Sequence, residues 1–148
     1  MVEGEHLARR LLASRFRAES LLVCEGREER LAAGAGEAPV FVLPQRELER
    51  LVGFKFHRGM MACGLRGEPE TLAQVMAGVG RRAALLLCVD VNNEENMGAL
   101  VRAAAGLGAD AVVLGERCCD AFSRRALRVG MGAAFALPEI AARHVQVR

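Results

Sequence analysis

The first half of the chain alternates between short apolar runs and amphipathic segments. Apolar runs bounded by turn residues predict three strands, at residues 20–24, 39–43 and 60–65. Helical periodicity predicts three helices, at residues 7–14, 27–33 and 45–52. In the last of these helices, Leu48, Leu51 and Val52 are expected to lie on one apolar face. Strands separated by helices indicate an α/β domain.

A break at residues 67–69 separates this region from a second one. Pro69 is suited to the first turn of a helix at 70–79, which Gly80 ends. Further on, the pattern predicts strands at 83–89 and 111–114, and helices at 96–107 and 121–130. Asp120 is placed to cap the last helix. This β–loop–α–β–α order is typical of half of a doubly wound parallel sheet.

Composition limits the class of protein. The chain has 148 residues, of which 52% are hydrophobic and 26% are charged, and this composition excludes a disordered chain. Its apolar runs are far shorter than the ~20 residues of a transmembrane helix. Because no export signal is visible either, we expect a cytoplasmic protein without a membrane partner.

Charge and aromatic content bear on RNA as a partner. Lys55 is the single lysine among 20 basic residues, and arginine suits phosphate recognition. A GC-rich coding sequence explains the same bias, and a net charge of +2 does not by itself indicate nucleic acid. The absence of Trp and Tyr argues against binding single strands by base stacking.

Other motifs favour neither a metal nor a nucleotide loop. The five cysteines show no CxxC spacing, so no metal site is expected, and Cys118–Cys119 is interpreted as a packed or surface pair. Gly106 and Gly108 end a helix and precede a strand, whereas a dinucleotide-binding fingerprint needs the opposite order.

The loop at residues 90–95 leaves the carboxyl end of a predicted strand, where ligands of such sheets bind. Asn92 and Glu95 are spaced to cap the next helix. On that helix, four residues are expected to form the apolar stripe: Leu100, Val101, Ala104 and Leu107. Asn96 and Arg102 both could border the groove above the strand end, and Gly98 permits close approach of a backbone or a ligand.

The stretch NNEENMGALVRAAAGLGADAVVL resembles the first signature of the SpoU (TrmH-type) RNA methyltransferases of the SPOUT superfamily. The matching residues are Asn96, Gly98, Arg102, Gly108 and Ala109. The continuation CCDAFSRRALRVGMGAAFALP resembles the family's basic helix, here with Arg124 and Arg125. It departs from the family at Ala121, which replaces a Pro, and at Gly130, which replaces a Ser.

The front part is similar to the small ribosomal-protein-like substrate-binding domain of that family. FHRG, with His57 and Arg58, is its most recognisable segment. The resemblance therefore implies three parts: an RNA substrate-binding domain at 1–68, a linker helix at 69–82, and the front half of a knotted, Rossmann-like parallel-sheet domain at 83–148.

The resemblance also implies a reaction, methyl transfer from S-adenosylmethionine to a ribose 2′-hydroxyl of rRNA or tRNA. Arg102 and Asn96 correspond to the family's catalytic residues, while His57, Arg58, Arg124 and Arg125 are expected to contact RNA. A guanidinium is a poor general base, so Arg102 is expected to position the hydroxyl and the phosphate. The family typically forms homodimers.

The family's second and third signatures, which build most of the cofactor pocket, are not found in the sequence. We therefore expect a truncated methyltransferase that is inactive alone and has no assigned cofactor residues. The alternative is a non-catalytic RNA-binding or interaction module. A small-molecule enzyme on half of a Rossmann-like sheet is a third, weaker alternative.

Overall fold

The structure is a computed structural model that describes residues 1–28, 34–80 and 82–141. The chain divides into two compact units, Met1–Arg66 and Gly67–Arg148. Within the described residues, no helix is both long enough and apolar enough to cross a membrane. Each unit is an α/β structure, as the alternating pattern predicts.

The first unit is built on one mixed sheet. Its described elements are β1 (Val2–Glu3), α1 (Glu5–Leu12), β2 (Ala18–Cys24), β3 (Val40–Leu43), α2 (Gln45–Val52) and β4 (Met60–Gly64). The strand order is β1-β4-β2-β3, with β2 and β3 parallel and the other pairs antiparallel. The predicted helix at 27–33 includes residues 29–33, which lie outside the described residues.

An apolar cluster holds α2 against the sheet. Leu48 and Phe56 pack with Cys24 and Met61, and Val52 lies partly buried beside them. Leu51, which the pattern placed on the same face, is instead 67% exposed. Leu48 and Val52 are four residues apart and therefore line up along the helix, whereas Leu51 is rotated by about 100° from Val52.

The second unit carries a parallel sheet. Its described elements are α3 (Leu72–Ala77), β5 (Leu85–Cys88), α4 (Glu94–Gly106), β6 (Ala111–Leu114), α5 (Arg124–Val129) and β7 (Glu139–Ala141). The strand order is β5-β6-β7, and both strand pairs are parallel. The parallel α/β sheet is thus confirmed. β7 follows a 3-10 turn at Ala133–Phe135 and was not predicted.

The helix before this sheet begins later than the sequence pattern suggested. Thr71 caps α3, because its Oγ1 accepts a hydrogen bond from the Gln74 backbone N–H. In return, the Gln74 side chain accepts a hydrogen bond from the Thr71 backbone N–H. This reciprocal capping box starts the helix at Leu72. The prediction that Pro69 lies in its first turn is therefore wrong.

Strand β5 is shorter than predicted and exposes much of its apolar surface. Cys88 is buried, but Leu85, Leu87 and Val89 are 41%, 63% and 67% exposed. These three residues alternate along the chain, so they project from one face at an edge strand of the described sheet. Hydrophobic composition predicted the strand correctly, although not its exposure.

Candidate active-site groove and basic turn

Asn93 starts the helix that follows β5. Its Oδ1 accepts hydrogen bonds from the backbone N–H groups of Glu95 and Asn96, both at 2.9 Å. The helix therefore begins at Glu94, two residues earlier than predicted, and the predicted cap at Asn92 is wrong. A capping side chain bonds the N–H groups two or three residues ahead, and Asn93 is the residue with the matching backbone conformation.

A groove of about 400 Å³ lies beside this helix start, at the carboxyl end of β5. Its lining consists of Asp90, Val91, Asn92, Asn93, Asn96, Ala99 and Leu100. The structure therefore brings Asn96 to the edge of the sheet where ligands of parallel sheets bind. The Asn92 and Asn96 amides supply hydrogen-bond donors and acceptors to this lining, and Val91 and Leu100 add apolar surface.

Four interactions tie the end of β5 and the groove loop to the loop that follows β6. The Cys118 thiol donates to the Cys88 carbonyl at 3.2 Å and accepts from the Val91 backbone N–H at 3.4 Å. The Cys119 N–H donates to the Val91 carbonyl at 2.8 Å, and an Arg117–Asp90 ion pair closes at 3.0 Å. Cys118 is thus part of the groove's support, a role that no local sequence motif indicates.

The neighbouring thiols are not activated nucleophiles. Burial raises the pKa of Cys88, and the nearby Cys118 and Cys119 raise it further. Burial likewise raises the pKa of Cys119. Thiols with raised pKa values stay protonated near neutral pH and act as small packing groups. Among the described residues, no group of three or more His, Cys, Asp or Glu side chains is arranged to hold a metal ion.

Arg102 lies on α4 but does not line the groove. Six residues separate it from Asn96, which rotates the two positions by about 120° around the helix. Its side chain is exposed, and it has no hydrogen bond or ion pair with any described residue. The structure therefore does not bring Arg102 and Asn96 together within one chain.

The buried face of α4 differs from the predicted stripe. Its buried residues are Met97, Gly98, Val101 and Ala104, while Leu100 and Leu107 are 38% and 87% exposed. Gly98 makes this packing possible, because a Cβ there would collide with the Ala126 carbonyl oxygen and lie 2.9 Å from the Gly130 nitrogen. The predicted close approach at Gly98 is confirmed, and the approaching group is the backbone of α5.

Helix α5 carries the predicted basic pair. Ser123 caps this helix, because its side chain accepts a hydrogen bond from the Ala126 N–H at 3.2 Å. Asp120 accepts a hydrogen bond from the Phe122 N–H in the preceding turn, so the predicted cap at Asp120 is wrong. Arg124 is exposed. Arg125 pairs with Glu95 at 2.6 Å, and this hydrogen bond raises the pKa of Arg125. Exposed pairs of this kind contribute little to stability.

In the first unit, the segment FHRG forms a turn that enters β4. Phe56 is fully buried, whereas His57 and Arg58 are exposed. The Phe56 N–H donates to Glu49 Oε1 at 3.1 Å. The hydrogen bond from Gln45 lowers the pKa of Glu49, and the bond from the Phe56 backbone lowers it further. The turn therefore presents two basic side chains from an anchored backbone.

Sequence comparison matches the second half of the chain to a known family. Residues 83–147 match the SpoU rRNA Methylase family. The chain is 41% identical over 144 residues to proteins of Mycobacterium tuberculosis and Mycobacterium bovis that are named uncharacterized tRNA/rRNA methyltransferases. The match covers 93% of this chain and 48% of each relative, so the chain spans about half the length of these curated relatives.

Solved structures share the fold. One is the SpoU methyltransferase AviRb from Streptomyces viridochromogenes, which was crystallised with AdoMet. It superposes with a TM-score of 0.76 at 16% identity, and the match covers 95% of this chain and 52% of AviRb. A TrmH-family protein from Porphyromonas gingivalis gives 0.73 at 26% identity, covering 94% of this chain and 52% of its own. Residues 83–147 of this chain therefore resemble the SpoU methylase family, and the chain shares its α/β fold with the TrmH-family protein.

Proposed function

We propose that this chain contributes to methyl transfer from S-adenosylmethionine to a ribose 2′-hydroxyl of rRNA or tRNA. The observation that carries the proposal is the groove at the carboxyl end of β5, where Asn96 lies within the segment that matches the SpoU family. Support for the donor comes from AviRb, which was crystallised with AdoMet. Support for the 2′-hydroxyl comes from a neighbour described as an RNA 2′-O ribose methyltransferase, with a TM-score of 0.65.

The described residues form one wall of a site for the donor. The groove is open, and among the described residues Asp90 is the charged residue in its lining. An enclosed cofactor normally has most of its surface buried. We therefore assign no donor-binding residue in this chain, and S-adenosylmethionine enters the proposal only as the source of an electrophilic methyl group.

Asn96 and Arg102 act on the RNA in this proposal. The Asn96 amide orients the nucleotide that carries the reacting hydroxyl. Arg102 holds the adjacent phosphate and the hydroxyl oxygen, because its guanidinium is a planar cation with five N–H donors and no acceptor. Holding the hydroxyl in line with the methyl group lowers the barrier through orientation.

Arg102 lies outside its own groove, which fits a homodimer in which it reaches the groove of a second copy. Mixing Asn96→Ala with Arg102→Ala versions of a chimera that adds the remaining half of the Mycobacterium tuberculosis relative tests this arrangement. Restored activity in the mixture is expected if the two residues of one site come from different chains. Activity that stays at the level of the separate variants argues that both act within one chain.

The remaining binding surface is basic. Residues 1–68 are proposed as the RNA substrate-binding domain, with His57 and Arg58 on its exposed turn, and residues 83–148 as the methyltransferase part. In the second unit, Arg124 and Arg125 are proposed as further RNA contacts. Phosphate contacts of this kind position an RNA without reading its sequence. Because rRNA and tRNA are the proposed substrates, we expect the protein to act in the cytoplasm.

A second candidate function is an RNA-binding module without catalysis. It is favoured by the anchored turn of the first unit, which exposes His57 and Arg58. The two functions differ in one measurable respect. A module binds RNA but transfers no methyl group under any condition.

The test measures transfer of tritiated methyl groups from S-adenosylmethionine to unmethylated 23S rRNA and tRNA transcripts. It compares this chain with a chimera that adds the remaining half of the Mycobacterium tuberculosis relative. Transfer by the chimera that falls by at least ~100-fold with Arg102→Ala supports the proposal. Resistance of the product to alkaline cleavage at one position identifies a 2′-O-methyl group. RNA binding without transfer by either protein supports the module instead.

A further inference from the structure

The turn that carries His57 and Arg58 is fixed at its beginning by α2. Gln45 Nε2 donates to the Phe56 carbonyl at 2.6 Å, and the Phe56 N–H donates to Glu49. Gln45 also donates to Glu49 Oε1 at 2.8 Å, so the two side chains support each other. Both backbone groups of Phe56 are therefore held by side chains, with its ring buried beneath them.

Arg27 fixes the other end of the turn from a distant part of the chain. Its Nη1 donates to the Arg58 carbonyl at 3.0 Å. Its guanidinium also lies over Gly59, where an added Cβ would be 2.8 Å from both Cζ and Nη1. Gly59 has a φ of +63°, so glycine satisfies both the backbone conformation and the contact. Arg27 is half-buried in this position.

The Arg58 side chain is also oriented. Its Nε lies 3.7 Å from Oε1 of Glu3, a carboxylate that is 8% exposed. Its Cδ lies 3.2 Å from the position of a Cβ at Gly4. The side chain nevertheless remains 49% exposed. The end of the guanidinium is therefore accessible to a ligand while its stem is held in place.

We propose that Arg27 is a positioning residue for RNA binding, acting through the Arg58 carbonyl and Gly59 to hold the turn in its binding geometry. This inference rests on the proposed function. Ordering the turn in advance removes part of the conformational cost of binding. The role needs the planar fork of arginine, because a lysine ammonium keeps the charge but cannot both cover Gly59 and donate from a fixed plane.

The experiment uses the full chain with two fluorescein-labelled transcripts, a tRNA and a 23S rRNA domain. Anisotropy gives Kd across a salt series for the wild-type chain, Arg27→Lys, Arg58→Gln and Arg50→Gln. Arg50 is an exposed residue of α2 paired with Glu47, so it controls for loss of one positive charge in the same unit. Amide NMR spectra and thermal melts of each variant show whether it is folded and whether residues 57–59 are altered.

Arg27→Lys is expected to weaken binding by about 5- to 30-fold, with shifted amide signals at residues 57–59 and an unchanged salt slope. Arg58→Gln is expected to weaken binding and to reduce the salt slope by about 0.7–0.9, as loss of one phosphate contact requires. Arg50→Gln is expected to bind like the wild-type chain.

Three results would overturn the inference. If Arg27→Lys binds RNA with wild-type affinity while Arg58→Gln binds it more weakly, Arg27 has no positioning role, although the chain does bind RNA. A reduced salt slope in Arg27→Lys equal to that of Arg58→Gln makes Arg27 a direct phosphate contact and not a positioning residue. Failure of the wild-type chain to bind either transcript rejects RNA binding by this chain, and the inference with it.

Discussion

Replacing Gly98 by alanine tests the contact between α4 and α5. The added Cβ would collide with the Ala126 carbonyl oxygen and lie 2.9 Å from the Gly130 nitrogen. Restoring ordinary contact at 3.4 Å requires the Gly130 nitrogen to move by 0.5 Å (3.4 − 2.9), and backbone cannot rotate away as a side chain can. Such overpacking costs about 1–3 kcal/mol. Alanine recovers up to about 1 kcal/mol through its higher helix propensity.

The net expectation for Gly98→Ala is a loss of about 1–2 kcal/mol, which lowers the urea midpoint by roughly 0.5–1 M. Gly106→Ala is the matched control, because Gly106 ends the same helix and a Cβ there meets nothing within 4 Å. It is expected to be neutral or stabilising by about 0.5 kcal/mol. Urea denaturation followed by circular dichroism compares the two. Equal stability of the two variants would refute the packing argument.

Three further predictions concern the groove, the basic turn and the methyl donor. Cys118→Ala is expected to destabilise the chain by about 1–2 kcal/mol in urea denaturation, because it leaves the Val91 N–H without its acceptor. Cys118→Ser should recover part of this loss. Wild-type stability of Cys118→Ala would argue against a stabilising role of the thiol hydrogen bonds. Hydrogen bonds lower the pKa of Glu49 below its ordinary value of 4.5. Ionised Glu49 therefore stabilises the fold at pH values above 4.5, and this contribution disappears as the pH falls through the lowered pKa. Glu49→Gln should therefore flatten that part of the acid limb in melts between pH 6 and pH 3, whereas an unchanged limb would show that the hydrogen bonds to Glu49 do not matter. Calorimetry of the chain with S-adenosylmethionine is expected to show no binding, because the groove is open and a cofactor site normally encloses its ligand. Micromolar affinity would contradict this reasoning.

Local sequence determined several elements of the fold. The helix Gln45–Val52 and the strand Ala111–Leu114 have the bounds that periodicity predicts. In both elements, the apolar positions and the residues that mark the boundaries lie close together in the sequence. The alternation of strands and helices likewise indicated a parallel sheet, because parallel strands need crossover connections. The resemblance that rests on Asn96 and Arg102 is also readable without a structure.

Tertiary structure decided what depends on residues far apart in the chain. β1 has two residues and β7 has three, which is too short for a periodic signal, and each exists only through its partner strand. The exposure of Leu51 and Leu100 depends on where neighbouring elements end.

The supports of the two candidate sites depend on even longer separations. The bond from Cys118 to the Cys88 carbonyl spans 30 residues, and the bond from Arg27 to the Arg58 carbonyl spans 31. A hydrogen bond forms only when donor and acceptor come within about 3.5 Å, and for such pairs the folded sheet sets that distance. The sequence alone therefore indicates the residues of the proposed sites, and the fold decides which side chains hold them in place.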